Sequence, residues 1–300
     1  MTEPETDSDS EEYGLLDTDV SGAGDEWEEI DVEDTDADRI ARQQDREFLS
    51  FRKRIKDADQ FKVEGSVFDD ATFAAIYKLV QDGYIEAFGG PVSTGKEASV
   101  YTALGAEETV AVKIYRINAS NFQQMQAYLD GDPRFSGIGN DKKRIVLAWV
   151  KKEFANLRRA REAGVRVPEP IATERNTLVM EYVGDEQQRA RRLAEVTIEN
   201  PETAYDVVRE YTRRLYDAGI VHGDLSEYNL VVHNGQLYVI DLGQAVTSHH
   251  PNSREFLERD CQNIARFFSQ QDLNVTGDQL LDYVTREANP DPDSEPNPEP

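Results

Sequence analysis

The sequence predicts an α+β fold in two lobes, a small strand-bearing one followed by a mainly helical one. Three observations predict it. Short β-branched runs crowd residues 85–115, helical periodicity takes over at 144–163 and again at 202–218, and no internal repeat or long linker separates the two regions.

Taken in order, Ile85 to Gly90 and Ala98 to Leu104 read as strands flanking a polar turn, and Thr109 to Tyr115 is a β-branched run suited to a buried strand. Together they make a three-strand meander. Arg144 to Ala163 places Leu147, Val150, Phe154 and Leu157 on one helical face, and Gly164 is a natural stop. Val165 to Ile171 and Thr177 to Tyr182 read as two further strands, Glu202 to Ala218 as a helix, and Leu237 to Asp241 as a strand that ends at a site. Between Asn118 and Lys143, the glycines Gly131, Gly137 and Gly139 with Pro133 predict a long mobile connection.

Composition sets limits around this frame. A 38% hydrophobic share over 300 residues supports a sizeable core. Acidic residues outnumber basic ones 59 to 33, for a formal net charge of −26, and Arg is preferred over Lys. Two explanations stay open: a solvated, self-repelling surface of the kind that remains soluble in concentrated salt, or an acidic arm that docks a basic partner. General affinity for nucleic-acid phosphates is not predicted, and no direct nucleic-acid motif is present. The ends, 1–45 and 289–300, are expected to be acidic disordered tails. Cys261 is the only cysteine, which excludes disulfides and Cys-based zinc sites. No apolar run reaches the roughly 18 residues of a membrane span and the N-terminus is acidic, so a cytoplasmic protein without membrane association is expected.

The residues that carry chemistry lie at 221–243. In Val221-His222-Gly223-Asp224-Leu225-Ser226-Glu227-Tyr228-Asn229 an Asp precedes an Asn by five positions, and Tyr238-Val239-Ile240-Asp241-Leu242-Gly243 follows. Phosphoryl transfer requires a carboxylate to orient the attacking hydroxyl and oxygen ligands to hold Mg²⁺ on the phosphates. Asp224 fits the first role, Asn229 and Asp241 the second. Upstream, Val110-Ala111-Val112-Lys113 matches a strand whose Lys reaches nucleotide phosphates, and Glu153, on the inward face of its helix, is the expected ion-pair partner of Lys113. Gly90 to Val100 contains Gly-x₄-Gly-Lys, yet Glu97 stands where a P-loop needs Ser or Thr, and a strand follows instead of a helix. The segment is therefore read as a reduced phosphate loop, with Ser93, Thr94, Gly95 and Lys96 as nucleotide contacts. The four histidines show no metal-ligand spacing and read as packing or surface residues.

Several phrases resemble the RIO family of atypical serine/threonine kinases, type-one branch: Ser-Thr-Gly-Lys-Glu-Ala at 93–98, Val-Lys-Ile-Tyr at 112–115, Gly-Asp-Pro-Arg-Phe at 131–135, Lys-Glu-Phe-x-Asn-Leu at 152–157, His-Gly-Asp-Leu-Ser-Glu-Tyr-Asn at 222–229 and Ile-Asp-x-Gly-Gln-Ala-Val at 240–246. The likeness runs from about Phe48 to Phe268. It implies a bilobal protein-kinase-like fold with a β-rich N-lobe over 46–182 and a reduced, mainly helical C-lobe over 183–288, and ATP and Mg²⁺ as cofactors. It implies a hinge at Leu178 to Val183 in which Glu181 and Tyr182 meet the nucleotide, autophosphorylation or a protein substrate, and a role at the small ribosomal subunit or its precursor. In some relatives the Asp matching Asp241 accepts a phosphoryl group. The acidity suits an archaeal member, and the winged-helix domain of the second branch is not expected.

Departures from ordinary protein kinases qualify the resemblance. Gly223 replaces the Arg that reads a phosphorylated activation loop, Ser226 replaces a phosphate-steadying Lys, and 59 residues after Asp241 contain no Ala-Pro-Glu docking motif. An ATPase switch on pre-ribosomal particles and a small-molecule kinase of the aminoglycoside or choline type are the alternative functions. Within the connection at 118–143, Ser120 and Ser136 are the expected autophosphorylation candidates.

Overall fold

The computed structural model describes residue 50 and residues 68–286, except 118–121, 136–137, 140 and 186–187. The expected tails and both candidate serines, Ser120 and Ser136, lie outside the described residues.

A five-stranded antiparallel sheet forms the first lobe, with β1 (Ala87–Thr94), β2 (Ala98–Leu104), β3 (Thr109–Tyr115), β4 (Pro170–Glu174) and β5 (Thr177–Glu181) in the order β1-β2-β3-β5-β4. The strand pattern sets which side faces the site. Val110, Val112 and Ile114 point into a core with Phe73, Ile76 and Leu79 of helix α1 (Asp70–Gln81), so Ala111, Lys113 and Tyr115 must face the opposite side. Helix α1 starts where the Asp69 carboxylate accepts the Thr72 amide at 2.7 Å.

The strand reading of 85–90 is corrected. The strand begins at Ala87 and runs on to Thr94 through two register irregularities, around Pro91 and before Ser93. Pro91 lacks an amide hydrogen and is tolerated there because β1 is an edge strand. Only Gly95, Lys96 and Glu97 are left for the turn, closed by the Gly95 amide on the Ala98 carbonyl at 2.9 Å. Residues 165–169 also fall short of the expected strand, which begins at Pro170.

The connection expected over 118–143 carries elements of its own among the described residues. It contains helix α2 (Phe122–Leu129), with Met125 and Leu129 buried, and a single 3₁₀ turn at Pro133–Phe135. Gly131 and Gly139 lie outside these pieces, both with positive φ.

Helix α3 (Lys142–Glu162) spans the lobe, capped by the Asp141 side chain on the Arg144 amide at 2.7 Å. It is buried more widely than its apolar stripe implies: Leu147 and Phe154 are only half-buried, whereas Lys152, Glu153 and Asn156 are fully buried. Its end matches expectation. Gly164 has φ +73°, and the Val165 amide returns to the Ala160 carbonyl at 3.0 Å.

The second lobe holds α4 (Pro201–Asp217), α5 (Ser253–Ser269) and α6 (Gly277–Thr285) around Leu215, Ile264, Phe268 and Leu280. Between them, β7 (Ile220–Val221) pairs with β10 (Val246–Thr247), and β6 (Arg191–Arg192) joins the hairpin of β8 (Leu230–His233) and β9 (Gln236–Val239). That hairpin turns at Asn234 and Gly235, both with positive φ, the turn chemistry that matches strand twist. Among the described residues, no helix is long and apolar enough to cross a membrane.

Gly164→Ala is expected to destabilise the protein by about 1–2 kcal/mol, because a Cβ is strained at this φ and would sit 3.1 Å from the Arg214 guanidinium. Thermal unfolding checks this; an unchanged midpoint contradicts it.

Candidate active site

A cavity of about 500 Å³ lies between the sheet and the β8–β9 hairpin, lined among others by Ser93, Thr94, Gly95, Lys96, Lys113, Glu181, Tyr182, Asn229 and Asp241. All the residues expected to meet nucleotide or metal therefore share one cavity. Glu153 and Asp224 are not part of its lining. Glu153 stands behind Lys113, and Asp224 is reached through Asn229 and Gln244.

Lys113 is the meeting point. Its ammonium donates to Glu153 Oε1 at 2.8 Å and to Asp241 Oδ1 at 2.9 Å. Burial works against its charge, but Asp241 and Glu153 outweigh it and hold the Lys113 ammonium well above its ordinary value. The Lys113 charge also lowers the Asp241 carboxyl. For Glu153, burial pushes the carboxyl up despite Lys113. Yet Lys113 and the Tyr115 hydroxyl donate to its two separate oxygens, and that geometry supports the carboxylate.

Asp241 has φ +63°, a costly conformation for a non-glycine residue, and it follows the end of β9. Half of its side chain is exposed to the cavity, so one oxygen remains available beside the one that holds Lys113. The next glycine is required by space. A Cβ on Gly243 would lie 2.9 Å from Trp149 Nε1 and 3.2 Å from the Tyr115 hydroxyl.

The Asp224 loop is held from three sides. Asn229 Nδ2 donates to the Asp224 carbonyl at 2.8 Å and to its Oδ2 at 3.2 Å, which leaves Asn229 Oδ1 for another partner. Gln244 Nε2 reaches the same Oδ2 at 3.4 Å. Burial first, and Asp241 second, push the Asp224 carboxyl above its ordinary value. His222 is buried with Nε2 against the Ile240 carbonyl at 3.1 Å and Nδ1 accepting the Asp224 amide, so Nε2 carries the hydrogen and the ring is a packing residue. His250 is likewise buried, with Nε2 on the Ala127 carbonyl at 3.0 Å.

Sequence reasoning missed Asp260. This buried carboxylate on α5 accepts the Gly223 amide at 2.7 Å and the Leu225 amide at 2.8 Å, fixing the backbone on both sides of Asp224. A signal existed: Asp260 lies four residues from both Phe256 and Ile264, an acid on an apolar helix face. Lys152 and Asn156 were also missed as contributors, although the phrase holding them was noted.

A family model for the RIO domain matches residues 99–280. The chain belongs to the RIO family. Among RIO relatives, the RIO-type serine/threonine-protein kinase Rio1 of Haloferax volcanii is 65% identical over 95% of this chain and 99% of its own length. The Rio1 of Methanocaldococcus jannaschii is 35% identical over 81% of this chain and 84% of its own. Human RIO1 is 39% identical over 77% of this chain and 42% of its own length. Among solved structures, the Rio2 kinase from Chaetomium thermophilum has a TM-score of 0.56 at 20% identity, covering 84% of this chain and 88% of that one. The same kinase as an ADP/Mg²⁺-phosphoaspartate complex gives 0.55 at 18% identity, covering 83% and 89%. Both show the shared kinase-like α+β fold, with its sheet-bearing first lobe and helical second lobe.

Asp260→Ala strands two buried amides in this RIO chain and is expected to cost about 2–5 kcal/mol. Burial raises the Asp260 carboxyl to about 7. The folded chain then holds this proton more tightly than the unfolded one, so the stability it contributes is present at low pH and lost as pH rises from about 4 to about 7. Urea midpoints should therefore show a larger gap between the parent and Asp260→Asn at pH 5 than at pH 8. A gap independent of pH contradicts this.

Proposed function

We propose that the chain is an ATP- and Mg²⁺-dependent serine/threonine protein kinase of the RIO type. The observation that carries this reading is the convergence of Lys113, Asn229 and Asp241 on one cavity, with Asp224 held against Asn229. The cavity is of ordinary size for a small-molecule site. Glu181 and Tyr182, where the chain leaves β5, are the candidate nucleotide-base contacts, and the lobe boundary is taken at 182/183. Ser93 to Lys96 are the candidate phosphate contacts.

The donor set fits Mg²⁺. One carboxylate oxygen of Asp241 and the Asn229 carbonyl oxygen are hard ligands, few enough that the remaining positions fall to phosphate and water, as this ion prefers. Among the described residues, no group of three or more His, Cys, Asp or Glu forms a cage for a metal held by protein alone. Bound there, Mg²⁺ supplies charge neutralisation at the phosphate oxygens. Lys113, kept charged by its two carboxylates, orients phosphate. Asp224, with its raised proton affinity, takes the proton of a serine or threonine hydroxyl as that oxygen bonds to the γ-phosphorus and the bond to the β-phosphate oxygen breaks, releasing ADP. The acceptor is the protein itself or another protein. A role at the small ribosomal subunit or its precursor rests on the family resemblance.

An ATPase switch is the second reading. The Rio2 relative was captured with phosphoaspartate, and Asp241, half-exposed to the cavity, is the candidate acceptor here. ATP turnover with and without purified small ribosomal subunits separates the two readings: phosphate release that rises with subunits while protein labelling does not favours the switch.

Asp224→Asn is expected to keep the fold and nucleotide binding while losing turnover by about 10²- to 10⁴-fold. Unchanged turnover removes Asp224 from the mechanism. Asp241→Ala is expected to raise the Mg²⁺ concentration needed for nucleotide binding. An identical Mg²⁺ titration excludes it as a ligand.

A further inference from the structure

Directly after Asp241, the carbonyls of Leu242, Gly243 and Ala245 all receive hydrogen bonds from one face of α3. Lys152 Nζ donates to the Gly243 carbonyl at 2.9 Å, and Asn156 Nδ2 donates to the Leu242 carbonyl at 3.2 Å and the Ala245 carbonyl at 2.9 Å. Lys152 and Asn156 are one helical turn apart, so both reach the same strip of backbone. Both are fully buried, at 0% and 1% exposure.

A buried lysine is an expensive way to cap one carbonyl. Burial lowers the Lys152 amine to about 7 against the pull of the nearby Asp132 charge, and it has aromatic support from Trp149, 4.8 Å from its ring centre, and Tyr128, at 5.8 Å, but among the described residues no ion pair within 4 Å. Packing alone would favour a Leu or Met in that place. Among the described residues, the group to which Lys152 donates is the carbonyl two residues beyond Asp241.

The chain of contacts continues outward. Arg134 Nη2 donates to Asn156 Oδ1 at 3.3 Å, which fixes the orientation of the amide and turns Nδ2 to the carbonyls. Arg134 is in turn held by Asp132, buried to 3% exposure, through Nη2 at 2.7 Å and Nε at 3.0 Å. The turn at Pro133–Phe135 is thereby tied to the segment that presents Asp241.

We propose that Lys152 and Asn156 are positioning residues for the metal-binding carboxylate: they hold the backbone of Leu242 to Ala245 so that Asp241 keeps its left-handed conformation and faces the cavity, and Arg134 sets Asn156 for that task. The proposal rests on the reading of Asp241 as a Mg²⁺ ligand. Neither residue lines the cavity. Their effect is on how well Asp241 is presented, the kind of outer contact whose loss costs about 10- to 100-fold in metal affinity.

The test is Mn²⁺ binding to the full chain in the presence of ADP, read by electron paramagnetic resonance, beside ADP binding in excess EDTA, read by calorimetry. Lys152→Met and Asn156→Leu preserve volume and remove the donors. Each is expected to weaken Mn²⁺ binding by about 10- to 100-fold while leaving metal-free ADP affinity as in the parent. Mn²⁺ affinity equal to the parent overturns the proposal, as does an equal loss in the EDTA titration, which would mean general damage to the cavity. Asp241→Ala is the reference: if it binds Mn²⁺ as the parent does, the metal reading itself fails and the proposal falls with it. Should Lys152→Met and Asn156→Leu not fold, Arg134→Met, at a position one-third exposed, decides. A loss of about three- to tenfold in Mn²⁺ affinity supports the proposal and no loss overturns it.

Discussion

One ammonium holds the architecture of the site together. Lys113 is on β3, Glu153 on α3 and Asp241 after β9, and its two bonds of 2.8 and 2.9 Å join all three. Lys113 keeps its charge in this buried place because Asp241 and Glu153 outweigh burial, and removing either partner of the Lys113–Glu153 pair would leave the other buried and uncompensated. The alternation of β3 turns Lys113 away from the core beneath α1, and α3 must then lie where Glu153 meets it. Tyr115, two residues along the same face, adds its hydroxyl to Glu153. Local strand periodicity thus becomes a constraint between lobes.

The candidate nucleotide-contacting half of this chain is dense with such constraints, while the acceptor side is spare. The Asp224 loop is fixed by Asp260 from below and by Asn229 and Gln244 from the side. Beyond Asp241, the described chain supplies only a two-residue strand and the helices α5 and α6. A site so arranged fixes the candidate phosphate-binding and proton-accepting groups closely and offers the acceptor few fixed contacts among the described residues.

Much of this was legible in the sequence because it is local. The β3 strand, the α3 stop at Gly164 and the spacing of Asp224, Asn229 and Asp241 are written in neighbouring residues. What escaped depends on pairings distant in sequence. Asp260 serves amides 35 and 37 positions away, and Lys152 reaches a carbonyl 91 positions away. Glycine content over 118–143 hid helix α2, since Gly131 sits after it without preventing Met125 and Leu129 from packing. Proline and glycine likewise hid the run of β1 to Thr94, because an edge strand with register shifts accommodates both.

The dependence on Lys113 is most directly tested by a double-mutant cycle on ADP–Mg²⁺ affinity with Lys113→Met, Glu153→Gln and the pair. The account predicts strong coupling, about 1–3 kcal/mol, with the double variant little worse than the weaker single one. Additive losses would mean that Lys113 and Glu153 act independently and would contradict it.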